Sequence, residues 1–115
     1  MKEIKFRVWD VKKNRMYTGM NIRKFNSIAP FCNAPELFIL MQYTGLHDKK
    51  GVEEYKGDKI KHWVGYLHNT RETISEIIWI DDLACWGEKD ERGYTSPGVP
   101  VGEVIGNTYQ EEATP

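Results

Sequence analysis

Basic and aromatic residues alternate near the N-terminus, and they form the best candidate for a binding surface. Cationic side chains can contact phosphates while neighbouring aromatic rings stack on bases, which is the chemistry of single-stranded nucleic-acid binding. The predicted basic surface comprises Lys5, Arg7, Trp9, Lys12, Lys13 and Arg15, with Tyr17, Arg23 and Lys24 close by in the sequence. A second group that would extend it comprises Lys56, Lys59 and Lys61. The alternatives are a solvated face, or a face that pairs with acidic residues elsewhere in the chain.

Charge is unevenly distributed along the 115 residues, although the formal net charge is only −1. Residues 1–24 contain eight basic and two acidic residues, whereas residues 72–115 contain two basic and ten acidic residues. Because opposite charges attract, this asymmetry predicts contact between the two ends, either within one chain or between neighbouring chains. The near-neutral total counts against nucleic-acid binding as the main function.

Side chains that could take part in catalysis are present but isolated. Asp81 and Asp82 could serve acid–base chemistry or bind Mg²⁺. Adjacent strand residues face opposite sides, however, so we interpret this pair as the end of a strand. The histidines His47, His62 and His68 lack the spacing of a metal site, and we expect them at the surface or at an interface. No phosphate-binding loop or nucleophile motif occurs. The sequence therefore predicts no metal and no cofactor, and it favours a protein that is not an enzyme.

The cysteines and the N-terminal residues bear on the cellular compartment. Cys32 and Cys85 match neither a disulfide framework nor a zinc motif, so we interpret them as reduced thiols. The first residues contain no secretion signal, and no apolar run is long enough to cross a bilayer. These features predict a soluble, cytoplasmic protein.

The hydrophobic pattern has a repeat of two along most of the chain, which is typical of β-strands. Strands are predicted at residues 4–9, from residue 16 in a return strand, and at 37–43, 59–66 and 73–80. Residues 48–51 and the pair Gly57-Asp58 have the composition of tight turns. An irregular connection is predicted at residues 21–36, a hairpin loop at 67–71 and a surface excursion at 86–100.

Short strands separated by glycine turns predict a mainly β fold with few helical turns. We expect an N-terminal β lobe over residues 1–45, built on a hairpin and otherwise irregular. Residues 46–115 are expected to form a small SH3-like β-barrel. The two lobes would make one compact unit, and they could be intertwined.

Four segments of the chain carry recognisable motifs: residues 4–10, 40–51, 55–60 and 103–109. In these segments the chain resembles the YopX family of phage and prophage proteins. Their order and spacing match the family, whereas residues 17–36 and 86–98 carry no motif. The sequence departs from the family at Lys56, Lys59 and Lys61, where acidic or apolar residues are usual. The resemblance implies a mostly β fold, an origin in a phage or prophage inside a bacterial cell, and self-association. It implies no activity.

Three functions remain open from the sequence. The favoured one is a non-enzymatic oligomeric interaction or structural module that binds further copies of itself, or a host or phage protein. The alternative is a nucleic-acid-binding accessory or regulatory factor that uses the basic surface. An enzyme of unknown class ranks last, because only isolated carboxylates and thiols support it. None of the three involves a membrane.

Overall fold

The computed structural model describes residues 5–21 and 36–110, and within these ranges the chain forms nine β-strands that pair antiparallel. The strands are β1 (Lys5–Asp10), β2 (Arg15–Asn21), β3 (Phe38–His47), β4 (Glu53–Tyr55), β5 (Asp58–Tyr66), β6 (Asn69–Ile80), β7 (Cys85–Lys89), β8 (Thr95–Pro97) and β9 (Glu103–Asn107). A short 3-10 turn, Asp81–Leu83, follows β6. The prediction of a mainly β fold with few helical turns is confirmed.

The first sheet has the strand order β2-β1-β3-β4. Its β1–β2 hairpin is the predicted one, and Asn14 in the connecting turn adopts the left-handed conformation with a φ of 51°. Strand β3 pairs with β1 on one side and with β4 on the other, so its central residues are enclosed. The core of this sheet consists of Trp9, Met41, Tyr43 and Tyr55, with Met16 and Ile39 packed against it.

The second sheet has the strand order β8-β7-β6-β5-β9. Strands β5 and β6 are joined by only two residues, and Leu67 in this turn has a φ of 54°. Pairing continues to the turn, where Tyr66 lies opposite Asn69. The predicted loop over residues 67–71 is therefore too long. The left-handed Leu67 reverses the chain at once, so residues 69–71 belong to β6.

The segment 86–100 is predicted to be a surface excursion, and most of its residues are exposed, but it is not a simple loop. It contains most of β7 and all of β8, which pair as a hairpin. Their connection is closed by the Asp90 carboxylate, which accepts backbone hydrogen bonds from Arg92 and Tyr94 at 2.9 Å each. The two strands were not predicted, because turn-forming residues dominate the composition and the strands beside them are short.

One of the two sheets curls into a half-barrel, and the five-stranded sheet has β8 and β9 at its two edges. SH3-like closure is therefore not shown, and the division into lobes 1–45 and 46–115 stays a prediction. Residue 45 falls within β3, and the first sheet continues to Tyr55. Most of the predicted connection over residues 21–36 lies outside the described residues, together with Arg23, Lys24 and Cys32.

The two sheets meet at the predicted Gly57-Asp58 turn. Gly57 has a φ of 90°, a conformation that favours glycine. Its N–H donates to the Ile77 carbonyl at 2.9 Å, and its own carbonyl accepts from the Thr108 N–H at 2.8 Å. A Cβ atom here would lie 3.0 Å from the Met41 side chain. Glycine therefore serves both the turn and the close packing, and it places Asp58 at the junction of the sheets.

Candidate functional site

The structure divides the predicted basic surface into a buried part and an exposed part. Trp9 is buried in the core of the first sheet, so its ring is not available to stack on a ligand. Lys5 and Arg7 are half-buried on β1, whereas Lys12 and Lys13 are exposed in the turn that follows. The basic residues of strand β1 are therefore less exposed than those of the turn that follows it.

Arg7 forms the centre of the buried part. Its guanidinium lies 4.2 Å from the centroid of the Tyr55 ring and forms an ion pair with Asp58. The side chain of Arg7 is 13% exposed and that of Asp58 only 1%. Asp58 also accepts a hydrogen bond from the Tyr55 N–H at 2.8 Å. Burial raises the pKa of the Asp58 carboxyl, although the Arg7 charge acts in the opposite direction. This pair links β1 of the first sheet to β5 of the second.

Lys5 lies beside Arg7 and has an equivalent environment. Its ammonium is 4.7 Å from the centroid of the Tyr43 ring, and it pairs with Glu53. A cleft of about 430 Å³ opens here, lined by Lys5, Arg7, Thr18, Val52, Glu53 and Tyr55. Among the described residues, the acidic partners of Lys5 and Arg7 are Glu53 and Asp58, from the middle of the chain.

Two further carboxylates lie at the junction, and sequence reasoning did not identify them as site residues. Asp48 accepts hydrogen bonds from the N–H groups of Lys50 (2.8 Å), Val52 (2.9 Å) and Val104 (2.9 Å). Burial opposes ionisation of Asp48, but these N–H donors outweigh it and lower the pKa of its carboxyl. Asp48 therefore ties the turn before β4 to the distant strand β9.

Glu54 is 3% exposed, and its Oε2 atom is buried without a hydrogen-bond partner. Burial, followed by the negative charges of Asp48 and Asp58, raises the pKa of Glu54 to about 7. No signal in the sequence distinguishes Glu54 from the half-buried Glu53 beside it, because the burial of Glu54 depends on how the two sheets meet. Among the described residues, no group of three or more His, Cys, Asp or Glu side chains is arranged to hold a metal ion.

The histidines differ from one another in their environments. His62 is buried, and its Nε2 atom lies 2.8 Å from the Ser75 hydroxyl. The expectation that His62 faces solvent or an interface was wrong, because alternation along β5 places it on the same side as the buried Ile60. His47 and His68 are exposed, as expected.

The predicted chemistry-bearing residues near β7 are exposed or half-buried. Asp81 and Asp82 lie in the exposed 3-10 turn at the end of β6, in agreement with their interpretation as a strand end. Cys85 is a half-buried free cysteine at the start of β7. These side chains therefore differ in burial from the carboxylates of the sheet junction.

The exposed part of the predicted surface lies in the β1–β2 hairpin, and we call Lys12, Lys13 and Arg15 the basic turn. The Arg15 guanidinium lies 5.5 Å from the centroid of the Tyr17 ring. A groove of about 290 Å³ runs between this turn and the start of β3, lined by Asp10, Lys12, Lys13, Tyr17, Leu37 and Phe38. Lys56 is exposed near the Gly57 turn, and Lys59 and Lys61 are half-buried on β5. The second lysine group therefore belongs to other elements than the basic turn.

Large apolar side chains are exposed at the end of the β5–β6 hairpin, and we call this group the aromatic tip. Trp63 is 63% exposed, Tyr66 79% and Leu67 74%.

No helix in the described part of the chain has the length and hydrophobicity needed to span a membrane.

Fold and site together define a mainly antiparallel, two-sheet β protein whose buried charged residues join the sheets. A similar fold occurs in the crystal structure of protein EF1440 from Enterococcus faecalis. That protein shares 20% sequence identity with this chain at a TM-score of 0.51, and the match covers 93% of this chain and 94% of the other. At this identity the likeness is one of fold.

Residues 5–113 match the family described as YopX protein, and the chain belongs to that family. The predicted resemblance is therefore confirmed, and it extends over nearly the whole sequence. No curated protein matches this chain.

Proposed function

We propose that this chain is a non-enzymatic, phage-type interaction module that associates with further copies of itself. The observation that carries this proposal is a separation of exposed charge. Lys12, Lys13 and Arg15 are exposed, and among the described residues no acidic side chain forms an ion pair with them. The exposed Asp81 and Asp82 likewise pair with no described basic residue. The opposite charges at the two ends of the sequence thus remain available for contacts between copies.

The aromatic tip supports the same proposal. Single exposed apolar residues are common on protein surfaces and need no explanation. Here Trp63, Tyr66 and Leu67 lie on one hairpin, and all three are more than half exposed. Tryptophan and tyrosine are enriched in interfaces, where they contribute much of the binding energy. The tip therefore offers apolar area that a contact between copies can bury.

The buried ionisable residues support a structural role over a catalytic one. Arg7 and Lys5 are paired with acidic residues of neighbouring strands, so their charges are already neutralised. The raised pKa of Glu54 resembles that of a catalytic acid. Its side chain is only 3% exposed, however, so a substrate has no direct access to the carboxyl.

Sedimentation velocity over a wide range of protein concentrations tests self-association. We expect the sedimentation coefficient to rise with protein concentration and to fall when salt is added, because salt screens exposed charges. A protein that remains monomeric at every concentration, at low as well as physiological salt, would contradict the proposal.

A second candidate function is nucleic-acid binding, which the exposed basic turn beside Tyr17 favours. The buried Trp9 and the paired Lys5 and Arg7 reduce the surface that the sequence predicted for it. Fluorescence anisotropy with labelled single- and double-stranded DNA and RNA tests this function. Binding should weaken steeply with added salt and in the K12E/K13E variant. Absence of binding at low ionic strength would rule it out.

A further inference from the structure

We infer that the groove beside the basic turn binds the 3-10 turn Asp81–Leu83 of a second copy of this chain. The inference rests on the proposed self-association and names the contact that carries it. The groove and the 3-10 turn are different surfaces, so the contact is heterologous and each copy can bind one neighbour with each surface.

The groove combines a cationic rim with an apolar floor. Lys12 and Lys13 line the rim and are exposed, and Tyr17, Leu37 and Phe38 contribute aromatic and aliphatic surface. The Asp10 carboxylate, which also lines the groove, is buried and accepts hydrogen bonds from the Lys13 N–H at 3.0 Å and the Tyr17 hydroxyl at 3.3 Å. A suitable ligand therefore presents negative charge to the two lysines and an apolar group to the floor.

The 3-10 turn presents this combination of groups. Asp81 and Asp82 are exposed, and Leu83 next to them is also exposed despite its size. The turn is closed by its own backbone, because the Ala84 N–H donates to the Asp81 carbonyl at 3.2 Å and Ala84 adopts the left-handed conformation. Two carboxylates and a leucine are therefore displayed together on a turn that is already ordered, which lowers the entropic cost of binding.

Charge complementarity favours a second copy over a nucleic acid as the occupant. Phosphates would satisfy Lys12 and Lys13 but would leave Leu37 without an apolar partner in the groove. The Asp81–Leu83 turn matches both parts of the groove, and the acidic surplus of residues 72–115 adds attraction at longer range.

A charge swap tests the contact directly. The variants K12E/K13E and D81K/D82K are each examined alone and then mixed in equal amounts by sedimentation velocity. We expect each variant alone to self-associate at least about tenfold more weakly than the wild type, equivalent to about 1.4 kcal/mol. The mixture should recover association, because the reversed groove of one variant complements the reversed turn of the other.

Two further variants separate this contact from general effects. R71E/R92E changes the net charge as K12E/K13E does, at two exposed arginines outside the groove, and should associate like the wild type. L83S leaves the charge unchanged and should weaken association, because the apolar floor loses its partner. Circular dichroism spectra and melting temperatures establish that each variant is folded.

Several results would overturn the inference. One is wild-type association in K12E/K13E, and another is a mixture of folded variants that stays dissociated. Equal loss in R71E/R92E would show that only net charge matters. Binding of a labelled oligonucleotide that K12E/K13E abolishes, with self-association unchanged, would assign the groove to nucleic acid. If association instead depends on the aromatic tip, W63S will abolish it while K12E/K13E does not, and the proposed function survives without this contact. A monomeric wild type would refute the proposed function itself.

Discussion

The buried carboxyl of Glu54 should make the stability of this protein depend on pH in a direction opposite to that of most paired carboxylates. Its Oε2 atom has no hydrogen-bond partner, and Asp48 and Asp58 add negative charge nearby. The informative perturbation is Glu54→Gln, which keeps the shape of the side chain and removes the ionisation.

The size of the pH-dependent change in the free energy of unfolding follows from the pKa of Glu54. This pKa rises from an ordinary value of 4.5 to about 7 on folding. Because each pKa unit corresponds to 1.36 kcal/mol, ionising Glu54 in the folded protein costs at most about 3 kcal/mol. The folded state holds this proton more tightly than the unfolded state. The stability that the protonated group provides is therefore fully present below pH 4.5 and is lost as the pH rises through about 7.

The assay is chemical denaturation of the wild type and E54Q at a series of pH values from below 4.5 to above 7. The free energy of unfolding of E54Q, relative to that of the wild type, should increase across this range by up to about 3 kcal/mol. A difference in the free energy of unfolding that stays the same at every pH reflects only the packing and hydrogen bonding of the glutamine amide that replaces the carboxyl. A change of this difference with pH reports the ionisation of the Glu54 carboxyl in the wild type.

Glu72→Gln is the matched control, because Glu72 is an exposed glutamate on β6. The free energy of unfolding of E72Q is measured over the same pH range. If the difference between E54Q and the wild type changes with pH no more than the difference between E72Q and the wild type, the reasoning from the burial of Glu54 and its acidic neighbours is refuted.

Two other substitutions test the junction between the sheets, both by thermal and denaturant unfolding. Arg7→Ala should cost about 3 kcal/mol or more, since it leaves the Asp58 carboxylate buried without its ionic partner; a loss below about 1 kcal/mol, the level of a surface ion pair, would show that the pair is effectively solvated. Gly57→Ala should be more destabilising than Gly93→Ala by about 1 kcal/mol or more. Both glycines have a φ of 90°, but a Cβ at Gly57 meets Met41 and Tyr109 at 3.0 and 3.1 Å, whereas nothing lies within 4 Å at Gly93. Equal losses would mean that packing at the junction does not contribute.

Strand β1 was predicted from alternating apolar residues, which are typical of a β-strand. Strand β3 was predicted from a continuous apolar run, and the second half of β6 from its β-branched and aromatic residues. Strand β5 was predicted as the strand that leaves the Gly57-Asp58 turn. The Gly57 turn was found because few other residues adopt its conformation. The β7–β8 hairpin was missed, since short edge strands need no long apolar pattern.

Less of the candidate site than of the fold could be predicted from the sequence. Basic residues near the N-terminus were recognised, but the structure places Trp9 in the core and pairs Arg7 with Asp58, 51 positions away. Asp48 reaches the N–H of Val104, 56 positions along the chain. No local pattern predicts such pairs, because they depend on how the two sheets pack against each other.

The sequence by itself determined the family, the mainly β character and the positions of the principal turns. The family was recognised from short local motifs. The β character and the turns depend on interactions between near neighbours, or on backbone conformations that a particular residue permits. The tertiary structure decided which charges are neutralised and which remain exposed. Burial and long-range strand pairing enclose Glu54 and His62 but leave Lys12, Lys13, Asp81 and Asp82 at the surface. These exposed charges are the ones on which the proposed self-association depends.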